Sequence, residues 1–113
     1  MFRCDVVQIV LEREGSVCWV ADCMCPACDI HEVIVTRGDV QGWQPAKRRE
    51  VIFHPFNCIA LCKIHHNTAD EPKAADVFDW MCGYYGRAEV TEWFAELARQ
   101  FKVVPGRLRN VIR

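Results

Sequence analysis

The chain has 113 residues, 51% hydrophobic and 26% charged, with a formal net charge of -1. That is the length of a single domain with one core, and the composition of a globular chain rather than a disordered one. No run of about 18 apolar residues occurs, so no membrane-spanning helix is expected.

The N-terminal stretch MFRCDVVQIVLERE carries acids inside its apolar run and lacks a small-residue cleavage pattern, so it does not read as a signal peptide. Residues 1–20 alternate apolar and polar in part, through Val7, Ile9, Leu11, Val17 and Trp19 with Gly15-Ser16 between. That pattern predicts a β-hairpin, or a strand followed by a turn. Residues 21–70 hold nearly all the metal-type side chains. Inside that zone HEVIV (31–35) is a strand candidate, TRGDVQGWQP is a Gly- and Pro-containing loop, and 50–53 is a second strand. Residues 72–113 read as helical, with Pro72 suiting a first turn and Gly83 and Gly86 breaking the run. AEVTEWFAELARQF then sets Val90, Trp93, Phe94, Leu97 and Phe101 on one helical face, which reads as core packing over a small metal-bound unit. The expectation is an α+β single domain, 1–113, with a core motif at 18–70, N-terminal strands at 1–17 and a C-terminal helical extension at 72–113.

Eight cysteines and four histidines dominate the chemistry. With no export signal, cysteines two to four residues apart alongside histidine read as zinc ligands rather than disulfides. Cys62-Lys-Ile-His65 is one half of a tetrahedral site. Two upstream pairs can complete it. Cys25-Pro-Ala-Cys28 has the regular two-residue gap and is preferred; Cys18 and Cys23, four residues apart in gap, are the alternative. Cys4, Cys58 and Cys82 have no ligand-spaced partners and default to buried free thiols. A redox function for Cys25-Pro-Ala-Cys28 lacks the βαβ context that chemistry uses.

Residues remain after four ligands are assigned. His66 follows His65 and must point elsewhere, His31 lies on a strand candidate beside Asp29 and Glu32, and Asp70 would share a helix face with His66. This second set of His, His and carboxylate suits Mg2+, Mn2+, Ni2+ or Zn2+ with open positions, which is a catalytic arrangement. Two basic clusters, Lys47-Arg48-Arg49 and Arg107 with Arg109 and Arg113, are solvated faces or nucleic-acid contacts.

The ordered set of a Cys pair, DIHEV (29–33), Arg37-Gly38, Asn57 and Leu61-Cys62-Lys-Ile-His65-His66 resembles the HNH endonucleases, whose fold is the ββα-metal (His-Me) finger. The His-Glu form on the strand is similar to small HNH-like proteins of bacteriophages and prophages. The resemblance covers about 18–70, and Asn57 precedes His66 by the nine residues that the family uses. It implies a metal-dependent endonuclease hydrolysing phosphodiester bonds in DNA, structure-selective or non-specific, in the cytoplasm of a bacterial or phage-infected cell. It further implies a structural zinc, a separate catalytic ion held by His31, His66 and Asp70, and phage or host recombination or replication partners. In one register His31 is a metal ligand and Glu32 stands at the general-base position; in the other His31 is the base and Asp29 or Glu32 binds metal. Asn57 would orient the histidine or brace the loop. Arg37, Lys47, Arg48 and Arg49 would face the phosphate backbone. The alternative is a zinc-stabilised module of the same fold that binds DNA or protein without hydrolysis.

Overall fold

The computed structural model describes residues 2–67 and 72–112. The chain opens with a helix, α1 (Arg3–Glu14), where the alternation predicts strands. Val6 and Val10, four apart, are fully buried, with Val7 and Leu11 half-buried beside them, so the apolar residues follow the helical period. Burial of that face overrides the strand propensity of the β-branched run VVQIV. The Asp5 carboxylate accepts the Phe2 N–H at 3.2 Å at the helix start. Gly15, at φ 67°, ends it, and the Ser16 N–H bonds back to the Leu11 carbonyl at 2.8 Å.

A short ribbon follows. Val17 pairs with Pro26, the Cys18 N–H donates to the Cys25 carbonyl at 2.9 Å, and the Ala27 N–H donates to the Ser16 carbonyl at 3.0 Å. It leads into β1 (Asp29–Glu32), which pairs antiparallel with β2 (Cys58–Leu61); Asp29 faces Leu61 and Glu32 faces Cys58. The strand expected over 31–35 therefore leaves the sheet after Glu32. The strand expected over 50–53 is instead the end of a helix, α2 (Pro45–Ile52), whose first residue has the fixed φ of a helix start. Its apolar Val51 and Ile52 are buried in the last turn, which is why a short apolar burst looks like a strand in sequence.

After β2 comes α3 (Lys63–Asn67), packed on both strands. The C-terminal part is helical, as the periodicity predicts: α4 (Ala74–Tyr85), α5 (Arg87–Ala98) and α6 (Gly106–Val111) pack on one another. Gly83 stays inside α4, and only Gly86, at φ 105°, breaks the run. Val90, Phe94 and Leu97 are buried, while Trp93 and Phe101 are half-buried against the core. The result is a small α+β fold with a two-stranded sheet and one continuous apolar cluster. No helix among the described residues is long and apolar enough to cross a membrane.

One buried ion pair ties these layers together. Arg13, in the last turn of α1, donates to the carbonyls of Pro55 at 2.8 Å and Cys58 at 2.7 Å and to the Tyr85 hydroxyl at 3.1 Å. Its neighbour Glu14 accepts the Ala60 N–H at 2.8 Å, and both side chains are almost fully enclosed. Burial pushes the Glu14 carboxyl above its usual range despite the Ala60 N–H and the Arg13 charge. The helix that the alternation hides is thus bonded to β2 and α4.

Candidate metal centre and the histidine face

The ribbon between α1 and β1 carries Cys18 and Cys23, and the β2–α3 junction carries Cys62 and His65. Asp22, at φ 65°, turns the chain between the two upstream cysteines, and the Cys23 N–H closes onto the Val20 carbonyl at 3.0 Å. The Trp19 N–H donates to the Ala60 carbonyl at 2.7 Å, which docks the ribbon on the strand that leads to Cys62. The four ligand atoms of Cys18, Cys23, Cys62 and His65 lie within 4.8 Å of one another. His65 Nδ1 is 3.3 Å from Cys18 Sγ and 3.2 Å from Cys62 Sγ, and Cys23 Sγ is 4.0 Å from Cys62 Sγ. A tetrahedral zinc with ordinary bond lengths needs S–S separations of about 3.8 Å and S–N separations of about 3.6 Å. The donors present fit such an ion.

Their electrostatics fit it too. The His65 backbone N–H, aided by the His65 ring and the Cys18 and Cys23 thiols, draws the Cys62 thiol down to about 6. Burial holds the Cys18 thiol up, so in that residue a cation is what would favour the thiolate. Cys25 and Cys28, the pair with the more regular spacing, stand outside this group with both residues exposed. The ribbon explains the exchange: Val17 pairs with Pro26, between them, and carries the chain past the centre. Cys58 and Cys82 are buried thiols as expected, whereas Cys4 is exposed on α1.

His66 turns the other way from His65. Its ring meets that of His31 at 5.6 Å between centroids and 84° between planes. Strand alternation places Asp29 on the same face as His31, with Ile30 buried behind. Burial raises the Asp29 carboxyl, but the Ile30 N–H, the Arg3 guanidinium paired to it and the His66 charge outweigh this and leave it lowered. Glu32 belongs to the opposite face and meets Arg37 Nε at 3.4 Å. Asp70, expected to join His66, lies outside the described residues.

Asn57 is not on this face. Its Oδ1 accepts the N–H groups of Ile34 at 3.0 Å and Val35 at 2.8 Å, while Nδ2 donates to the carbonyls of Val35 at 2.8 Å and Ile52 at 3.2 Å. It is fully buried and its hydrogen-bonding capacity is spent on the backbone of the loop after β1 and of the end of α2, which is a bracing arrangement. The basic residues divide. Arg37 precedes a single 3-10 turn (Gly38–Val40), whereas Lys47, Arg48 and Arg49 lie on α2 rather than in an open loop. Lys47 pairs with Glu50 at 3.6 Å; among the described residues Arg48 and Arg49 have no ion-pair partner.

Sequence reasoning misses Arg13 and Glu14. The signal was available, an Arg-Glu pair at the end of an apolar helical stripe, once the stretch is read as a helix. No family model, curated protein or solved structure matches the chain.

Proposed function

We propose that the protein is a metal-dependent endonuclease of the HNH type that hydrolyses phosphodiester bonds in DNA without reading sequence. The observation that carries this reading is the His31–His66 pair, 5.6 Å apart, one residue along from a ligand of the Cys3His centre. The antiparallel pairing of β1 with β2, and α3 directly after β2, are compatible with a ββα-metal finger that carries the 3-10 turn and α2 between its strands. His31 takes the proton of the attacking water, and Asp29 and His66 are the residues that would hold a divalent ion. Such an ion, Mg2+, Mn2+, Ni2+ or Zn2+, supplies charge stabilisation at the phosphate and the leaving oxygen. The Cys3His centre is structural, because four protein donors leave no open position. Arg37, Lys47, Arg48 and Arg49 grip backbone phosphates, so affinity falls with salt.

Supercoiled plasmid incubated with each of the four metals tests this. Wild type should yield nicked circles with at least one metal, and His31→Ala should not. No nicking with any of them sinks the reading. A second reading, a zinc-stabilised binding module without hydrolysis, draws support from the two carboxylates of β1: Asp29 is engaged by Arg3 and Glu32 by Arg37. It predicts DNA retardation in a gel with no nicking.

A further inference from the structure

A cavity of about 250 Å³ opens between the β1–α2 loop and α2, and neither His31 nor His66 lines it. Its floor is apolar, from Val40, Ile52 and Phe53, and three guanidinium-bearing residues, Arg37, Arg48 and Arg49, stand in its wall. Arg37 lies over the Phe53 ring, 5.8 Å from its centroid, and Arg49 over the Phe2 ring at 5.7 Å. Stacking of that kind holds a guanidinium plane in place while leaving its donors available. Three like charges converging on one hollow repel one another, and among the described residues Arg37 alone of the three has an ion-pair partner, Glu32 at 3.4 Å. The size admits a phosphate group with a small attachment and excludes a large cofactor.

We infer that this cavity is a phosphate-binding pocket, in which Arg48 and Arg49 meet the ligand from α2 and Arg37, sliding over the Phe53 ring, is handed to it from Glu32. A phosphate oxygen offers several acceptors to guanidinium forks, and it cancels the repulsion among the three arginines. Arg37 is the element suited to move, since its side chain is 70% exposed and its contact with Glu32 is long. Filling the pocket therefore frees Glu32, which sits next to His31 in β1. The ligand is a phosphate mono- or diester, supplied either by a nucleic-acid backbone or by a free nucleotide. The pocket's connection to DNA rests on the nuclease reading; the binding itself does not.

The test is 31P line broadening with the full chain, using inorganic phosphate, thymidine 5′-monophosphate and a dinucleotide carrying only an internal diester. Wild type should show saturable binding of at least one probe. Displacement of phosphate by the dinucleotide assigns the pocket to a backbone, and displacement by the monophosphate alone assigns it to a free nucleotide. Arg48→Ala should weaken binding about tenfold or more, as expected for loss of a charged hydrogen-bond donor. Arg48→Gln, which keeps the side-chain stem, serves if the alanine variant does not fold, and should weaken it similarly. Glu32→Gln should tighten binding about threefold by releasing Arg37 from a surface pair, and by more than Glu50→Gln, which changes net charge equally. No saturable binding by folded wild type, unchanged binding in the Arg48 variants, or equal effects of Glu32→Gln and Glu50→Gln would overturn the proposal. Phosphate binding without plasmid nicking keeps the pocket and removes the nuclease; nicking without saturable phosphate binding does the reverse.

Discussion

Asn57→Ala separates a brace from a reacting group. Asn57 makes four hydrogen bonds, all to backbone: the N–H groups of Ile34 and Val35 and the carbonyls of Val35 and Ile52. Truncation strands two donors and one acceptor in the interior, because the Ile52 carbonyl keeps the Cys58 thiol at 3.1 Å. At about 1 kcal/mol each, the low end for an unsatisfied buried group, the loss is about 3 kcal/mol. That is a large share of the roughly 5–15 kcal/mol that holds a domain together. With a urea slope of about 1.5 kcal/mol per molar for a chain of this size, the unfolding midpoint should fall by about 2 M. Urea titration followed by tryptophan fluorescence measures it, with the slope checked for two-state behaviour. Asn57→Asp should cost at least as much, because it keeps the acceptor, removes the donor and buries a charge. A loss under about 1 kcal/mol together with lost nicking would refute the bracing role and return Asn57 to the chemistry.

Other expectations follow from the same geometry. Cys18→Ser and Cys23→Ser should each abolish stoichiometric zinc, read by elemental analysis, and lower the melting temperature, whereas Cys25→Ser and Cys28→Ser should retain it. Arg13→Met strands the enclosed Glu14 carboxylate and should cost about 3–5 kcal/mol, while the double change Arg13→Met with Glu14→Gln should recover part of it. His54, stacked 4.0 Å from the Trp93 ring, has its imidazole pushed down from 6.5 to about 4 by burial. Between those values the unfolded chain takes up a proton that the folded one refuses, so stability falls as pH drops from 6.5 to 4 and changes no further below. The drop should reach about 3 kcal/mol and be absent in a folded His54→Phe variant, as read from urea midpoints at stepped pH.

Much of the site can be read from residue order, and the misreadings have physical causes. Cys62-x-x-His65 is legible because both ligands come from one chain turn, a local constraint. The upstream pair is not local. Cys23 reaches the centre through a left-handed turn at Asp22 and a ribbon docked on Ala60, whereas the tidier Cys25 and Cys28 are carried past it. The strands expected at 1–17 and 50–53 give way to helix for a shared reason: β-branched and apolar runs shorter than two helical turns carry no decisive period. Tertiary burial of Val6 with Val10 and the helix start at Pro45 decide both. The C-terminal helices are legible because Val90, Phe94 and Leu97 repeat over a full stripe. The face that His66 would share with Asp70 belongs to residues outside those described.

On the proposed reading one short helix divides two roles, with His65 turned to a structural ion and His66 to the reaction. The most direct test of this division is a single His66→Ala sample assayed for both zinc content and plasmid nicking. The predicted result is one zinc per chain retained with nicking abolished. Nicking that survives, or zinc that leaves together with it, would contradict the division.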